Sequence, residues 1–283
     1  KVMRVGCEPD FINMQCAAIR MLNGKNLCTP EIIPTVSGAD FASVNDEEGN
    51  LRLVWVIKAK SGVCYSKIYP RPIDFIYDLG KKIGGLNKAL KEFDHPYLDR
   101  DFKWNLMESN WITYYLYLIS DNDRKDILIE IIEEYNSVLH KANKLPQFAI
   151  HNDLNDYNIL ATSDISEGVK VSGIIDFGDM IRSPHICELA ISCAYIALDQ
   201  ENPIKTIADL VGSYHTKNPL TELDLDLLFI FLKMRLAVSV VFSSIAGFML
   251  GISSIHSLDW MVLLKLVIGG YCMVGASNAF NQV

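Results

Sequence analysis

Apolar and polar positions change their spacing more than once along this chain, and each change marks a different kind of element. Near the front, Asp10 or Asn13 can cap a helix that runs through Met21-Leu22 and ends at Gly24. Residues 31–58 then alternate apolar and polar, with breaks at Pro30, Pro34, Gly38 and Gly49. Within them Leu51-Arg52-Leu53-Val54-Trp55-Val56-Ile57 reads as a strand, and Lys1-Val2-Met3 reads as the end of another. From Pro72 the period lengthens. Phe75, Leu79, Ile83, Leu86, Leu90 and Phe93 recur at steps of three and four, which predicts a helix with one apolar stripe. Gly80, Gly84 and Gly85 weaken that helix, so close packing against a neighbour is expected there.

A second amphipathic helix carries Leu128, Ile131, Ile132, Tyr135, Val138 and Leu139 after the turn Asp121-Asn122-Asp123. Gln147 to Ile150, and Val169-Lys170-Val171 to Ile174-Ile175, read as short strands around a polar excursion at 162–168. After residue 186 the pattern is helical to the end. The expectation is an α+β fold with a small α/β part over 1–70 and a large, mainly helical part over 71–283. Its polar motifs gather at the junction.

Composition narrows the function more than the fold. The net charge of −8 argues against a phosphate-backbone binder, which usually carries a basic face, so no nucleic acid is expected as a partner. The cysteines, at 7, 16, 28, 64, 187, 193 and 272, form no CxxC pair and no zinc pattern. They read as buried free thiols in a reducing compartment, which points to the cytoplasm. The apolar run 236–250 carries several serines and is shorter than the ~20 residues of a spanning helix. It reads as a buried core helix, and no membrane partner is expected.

Chemistry concentrates in His151-Asn152-Asp153-Leu154-Asn155-Asp156-Tyr157-Asn158 and Ile175-Asp176-Phe177-Gly178-Asp179. Four residues separate Asp153 from Asn158, and Asp176 follows Asn158 by 18 positions at the end of an expected strand. Phosphoryl transfer needs a group that orients the attacking hydroxyl and hard oxygen ligands for Mg²⁺ on the phosphates. Asp153 suits the first task, and Asn158 with Asp176 the second. The order H-x-D-x4-N, strand, D-F-G is that of protein kinases. The bland alternative is a polar turn whose Asp and Asn side chains only bond their own loop. His151 is either a general base or a residue that scaffolds the loop; with Asp153 already in the base position, scaffold is preferred.

On these residues the chain resembles the aminoglycoside phosphotransferase and choline kinase superfamily, and within it the hydroxylysine kinase branch. The loop HNDLNDYNIL is similar to that branch's H-G-D-L-N-D-x-N-I-L, with Asn152 in place of glycine. Val171-Ser172-Gly173 and Asp176 to Met180 keep its S-G-x-x-D-F-G-D-M pattern. His95-Pro96 with Arg100, Phe102, Trp104, Asn105 and Leu106 resembles its H-P…R-x-F-x-W-N-L stretch. The resemblance implies a protein-kinase-like fold, with 1–70 as a partial N-lobe on the nucleotide side and 71–283 as a helical C-lobe. It places Lys1 at the strand lysine that grips nucleotide phosphates, and Gln15 at its first-helix partner. On that alignment two or three strands and a nucleotide-covering loop belong before Lys1, so the front lobe reads as truncated.

The activity so implied is transfer of a γ-phosphoryl group from GTP or ATP, with Mg²⁺, to a hydroxyl on a small amine-bearing acceptor. The resemblance points to 5-hydroxy-L-lysine as acceptor and GTP as donor; choline, ethanolamine and homoserine are the alternatives. Asp156, Asp179 and Glu188 are acids that suit a substrate amine, or else ordinary loop and cap acids. Tyr157 and Trp104 are the aromatic candidates for the substrate pocket, and Trp104 serves equally well in a core. Arg235, in an apolar helix, must pair with a buried acid or bind an anion such as an amino-acid carboxylate. A non-catalytic nucleotide-binding scaffold is the reading from another class; the intact Asp153, Asn158 and Asp176 argue against it.

Overall fold

Helix α1 (Pro9–Gly24) begins one residue ahead of Asp10. Proline's fixed φ suits a first helical position, and its missing N–H needs no partner there. Glu8 is therefore the flanking residue, Asp10 lies in the first turn and Asn13 inside the helix, so neither is the cap expected from sequence. The computed structural model describes residues 1–25, 27–162 and 168–250.

Four short strands follow: β1 (Glu31–Ile33), β2 (Ala42–Asn45), β3 (Leu51–Val54) and β4 (Val56–Lys58). The expected strand over 51–57 is two strands, because its partner changes: β3 pairs with β2 and β4 with β1, both antiparallel. Leu53 and Trp55 face inward across the break, so the alternation runs on while the ladder switches. Residues 1–3 lie along this segment, as Met3 N donates to Leu53 O at 2.9 Å and Trp55 N to Lys1 O at 3.1 Å.

After β5 (Val63–Cys64) comes α2 (Ile73–Leu90), flanked by Pro72. Its predicted stripe is real: Phe75, Leu79, Ile83, Leu86 and Leu90 are all fully buried, each contributing about 1.5–3 kcal/mol of transfer free energy. Helix α3 (Asn122–Ala142) starts where the Asp121 carboxylate accepts from Arg124 N at 3.1 Å. Strands β6 (Gln147–Ile150), β7 (Ile159–Ala161), β8 (Val171–Ile174) and β9 (Ile181–Pro184) lead to α4 (His185–Ile196), α5 (Pro203–His215) and α6 (Glu222–Leu250). The expectation of helix beyond residue 250 lies outside the described residues.

The chain divides into two compact units. One gathers Lys1–Phe102, Gln147–His185 and Gly212–Pro219. There α1 packs on α2, and α2 on β6 and β8. The other gathers Lys103–Pro146, Ile186–Val211 and, among the described residues, 220–250. There α6 packs on α3 and on the 3-10 segment Leu106–Leu118. The Tyr135 hydroxyl of α3 donates to Leu106 O at 2.7 Å, and its ring meets Phe231 edge-on.

Among the described cysteines Cys16, Cys187 and Cys193 are buried, but Cys7, Cys28 and Cys64 are half-exposed, so the expected burial holds for only part of the set. Within α6, Leu236, Ala237, Val238, Val240 and Val241 are buried, as a core helix requires. No helix among the described residues is long and apolar enough to cross a membrane.

Candidate functional site

Strand pairing brings the two motif loops together in the first unit. Residues 151–158 link β6 to β7, and residues 175–180 link β8 to β9. Because β6 pairs with β9 and β7 with β8, both loops leave the same strand ends. The registers Ile150↔Ile181 and Ile159↔Ile174 bracket them. Residues 18 apart in sequence thus become neighbours through hydrogen bonds that neither loop makes by itself. Strands β7 and β9 are short and were not legible as strands in the sequence.

The imidazole of His151 ties the loops to each other. It is fully buried, with its ring 4.7 Å from that of Phe177. Its Nε2 lies 3.0 Å from Ile175 O, and its Nδ1 3.3 Å from Asp153 N. A carbonyl can only accept and an amide N–H only donate, so the ring is neutral with its proton on Nε2. Burial holds it in that form by pushing its pKa down to about 4, against the raising effects of the Ile175 carbonyl and Asp176. Ile175 N donates in turn to Asn158 O at 2.9 Å.

Within the first loop, Asn155 is the organiser. Its Nδ2 donates to Asp153 Oδ1 at 3.0 Å, while its Oδ1 accepts from Tyr157 N and Asn158 N at 2.9 and 3.0 Å. Asn158 Nδ2 donates to Asp153 Oδ2 at 2.6 Å and to Asp153 O at 2.9 Å. The amide nitrogen is therefore committed to Asp153, which leaves the amide oxygen as the atom suited to a cation. Asn152 is buried in a left-handed conformation, φ 67°, which accounts for asparagine at a position that otherwise favours glycine.

Asp176 is left-handed too, with φ 64° and ψ 73°, and its Oδ1 lies 2.7 Å from Lys1 Nζ. Gln15 is buried on α1 with its Nε2 bonded to Phe11 O at 3.1 Å. Its Oε1 lies 3.9 Å from where a Cβ on Gly178 would stand. Lys1, Gln15, His151, Asp153, Asp156, Tyr157, Asn158, Asp176 and Asp179 all belong to this unit. Tyr157 is exposed. Among the described residues no three His, Cys, Asp or Glu side chains cluster as a metal cage. The donors present, one carboxylate and one amide oxygen, suit an Mg²⁺ that keeps phosphate and water ligands.

Trp104 and Arg235 lie in the other unit and meet there. The Arg235 guanidinium stacks 4.5 Å from the Trp104 ring centre and 5.5 Å from that of Tyr195, whose hydroxyl is 3.2 Å from Nη2. Both residues line a cavity of about 300 Å³ with Tyr195, Ser239, Phe242 and Ser243.

Residues 37–222 match the profile of the phosphotransferase enzyme family. The chain belongs to that family. Hydroxylysine kinase of Mus musculus is 28% identical to this phosphotransferase-family chain over 247 residues, 83% of this chain and 66% of the mouse protein. The chain thus spans slightly less than two thirds of that relative's length. A solved structure of an amicoumacin kinase with AMP-PNP, Ca²⁺ and its substrate superposes with a TM-score of 0.66 at 14% identity, covering 92% of this chain and 76% of the other. The fold is therefore the protein-kinase-like fold of the phosphotransferases. A stretch of 51 residues, 18% of the chain, is 65% identical to protoheme IX farnesyltransferase of Flavobacterium johnsoniae and covers 17% of that protein. The phosphotransferase match leaves 36 residues before it and 61 after it, so outside the family domain only 223–283 can hold this stretch.

Two residues of this phosphotransferase-family site escaped sequence reasoning. Asn155 stood in the quoted motif without a role. Arg100 stood in another quoted stretch, yet it reaches the second loop's backbone. The signal for Asn155 was available, since Asn two and three residues before a turn's amides is a known local pattern. None existed for Arg100, whose partners are carbonyl groups.

Proposed function

We propose that this chain carries the phosphoryl-transfer part of a small-molecule kinase, acting on the hydroxyl of an amine-bearing acceptor, with 5-hydroxy-L-lysine the preferred candidate. The observation that carries this reading is the joining of Asp153, Asn158 and Asp176 on two loops held together by His151 and Ile175. Similarity to the mouse hydroxylysine kinase supports the acceptor, and choline, ethanolamine and homoserine are the other acceptors to test. GTP or ATP is the donor. Residues 1–70 take the nucleotide side and 71–283 the helical lobe, and the reduced cysteines favour a cytoplasmic setting.

In this mechanism the Asp153 carboxylate, aimed by Asn155 and Asn158, orients the acceptor hydroxyl and receives its proton as that oxygen attacks the γ-phosphorus. The bond from the γ-phosphorus to the β–γ bridging oxygen breaks, and that oxygen leaves with the nucleoside diphosphate. Asn158 and Asp176 would hold Mg²⁺, which when bound neutralises phosphate charge. Lys1 lies beside Asp176, where its ammonium would meet phosphate oxygens, and Gln15 supports the loop from α1. His151 serves as scaffold, since both of its nitrogens are used on backbone. Asp156, Asp179 and Tyr157, on the two motif loops, are the candidate contacts for the acceptor.

The test is a nucleotide-coupled assay of the chain over a panel of hydroxylated amines. Asp153→Ala should lower turnover by about 10²–10⁴-fold, the usual worth of a positioned base, while nucleotide binding persists. Wild-type turnover in that variant would remove the assigned mechanism. Magnesium-dependent nucleotide binding without turnover on any acceptor would favour the scaffold reading instead.

A further inference from the structure

Asp176 occupies a backbone conformation that a non-glycine residue adopts only when its surroundings impose it. Its φ of 64° costs about 1–3 kcal/mol, which interactions of the neighbouring chain must offset. On the N-terminal side the hold is Ile175, whose N–H donates to Asn158 O and whose carbonyl accepts from His151. On the C-terminal side the hold comes from a distant side chain. Arg100 Nη2 donates to Gly178 O at 2.9 Å, and Nη1 donates to Met180 O and, at 3.2 Å, to Tyr97 O.

The surroundings of Arg100 are built for that task. Its guanidinium lies 5.3 Å from the Tyr97 ring centre and 4.8 Å from that of Phe102, so two aromatic rings lie against it. Burial pushes its pKa down from the ordinary value, opposed by Tyr97 and Asp179. The Tyr97 ring meets Phe11 of α1 at 5.8 Å, and the Phe11 ring edge stands 3.5 Å from where a Cβ on Gly178 would be. Arg100, Tyr97, Phe11 and Gly178 thus close a circuit around the loop. The nearby Arg182 spends its charge elsewhere, on Asp94 and Asp99 at 2.6 and 2.7 Å. A lysine cannot reproduce the arrangement, because it lacks a rigid fork able to aim two nitrogens at carbonyls two residues apart.

We propose that Arg100 is the positioning residue of the metal-side loop: by clamping Gly178 O and Met180 O it holds Asp176 in its left-handed conformation and so sets the site's affinity for the divalent cation. This rests on the proposed assignment of Asp176 as a metal ligand. Outer partners that orient a ligand without touching the ion change metal affinity by about 10–100-fold when removed.

The experiment titrates Mg²⁺ against binding of fluorescent GTP and ATP analogues to the full chain, with no acceptor and no turnover. Asp176→Asn is the reference for loss of the metal ligand. In Arg100→Met and Arg100→Lys the Mg²⁺ concentration for half-maximal binding should rise about tenfold or more, while nucleotide binding without Mg²⁺ stays as in the parent. A lower melting temperature alone, with an unchanged Mg²⁺ midpoint while Asp176→Asn shifts it, overturns the proposal and leaves the metal assignment standing. An unchanged midpoint in Asp176→Asn overturns the metal assignment and the proposal with it. Should Arg100→Met fail to fold, Arg100→Lys, which keeps charge and bulk, carries the measurement.

Discussion

His151 is closed off from solvent, and both of its ring nitrogens are bonded to backbone, so the folded state favours the neutral ring while the unfolded state titrates near 6.5. Its folded pKa of about 4 lies below that value, so the unfolded chain binds the proton more readily between them. Stability from this residue is complete above the unfolded pKa and is lost as pH falls from about 6.5 towards 4, a loss of about 3 kcal/mol over the window. His185, which burial pushes down to about 3, acts with the same sign. Melting temperatures measured from pH 8 to 4 should show an acid limb that is shallower in His151→Gln. Superimposable limbs in parent and variant would show that the residue is not held neutral. At this scale the sequence marked the residue types suited to hydroxyl and metal chemistry, at Asp153, Asn158 and Asp176. It was silent on Arg100, whose partners are carbonyl groups, whereas the scaffold reading of His151 anticipated bonds to backbone.

Among elements, α2 shows how far a pattern reaches. Its stripe of buried side chains followed from spacing alone, and its glycines were expected to mark close packing. The structure separates them. A Cβ on Gly84 would stand 2.7 Å from Tyr214 O, a backbone atom that cannot swing aside, whereas on Gly85 its nearest neighbour is a Leu27 methyl at 3.7 Å. Gly84→Ala should therefore destabilise by about 1–3 kcal/mol through overpacking. Gly85→Ala should be neutral or stabilise by up to about 1 kcal/mol through helix propensity. Chemical denaturation of both variants checks this, and equal effects would mean that packing at Tyr214 is not what Gly84 serves. Strand content was harder to read. The segment 51–57 alternates without interruption yet belongs to two ladders, and β7 is too short and too uniformly buried to alternate at all.

For the whole molecule, a ligand that binds only the folded chain adds its binding free energy to stability. At a hundred times its dissociation constant this amounts to about 2.7 kcal/mol. Mg²⁺ with GTP or ATP should accordingly raise the melting temperature by several degrees, and Asp176→Asn should remove most of the gain. No shift with either nucleotide, in a binding assay sensitive to millimolar affinity, would count against a nucleotide site in the first unit. A 51-residue stretch is similar instead to a farnesyltransferase. What the phosphotransferase family explains is residues 37–222, and the two motif loops lie inside them.

From sequence alone came the α+β class, the buried faces of α2 and α3, and the residues of the two motif loops, because side-chain type and spacing report burial and chemistry directly. Only the tertiary structure decided that β6 pairs with β9 and β7 with β8, which is what turns two separate motifs into one site. It also decided that the strained Asp176 is held from outside its own loop, by Arg100. Both depend on hydrogen bonds to backbone atoms, and every residue carries the same backbone, so no spacing of side chains could announce them.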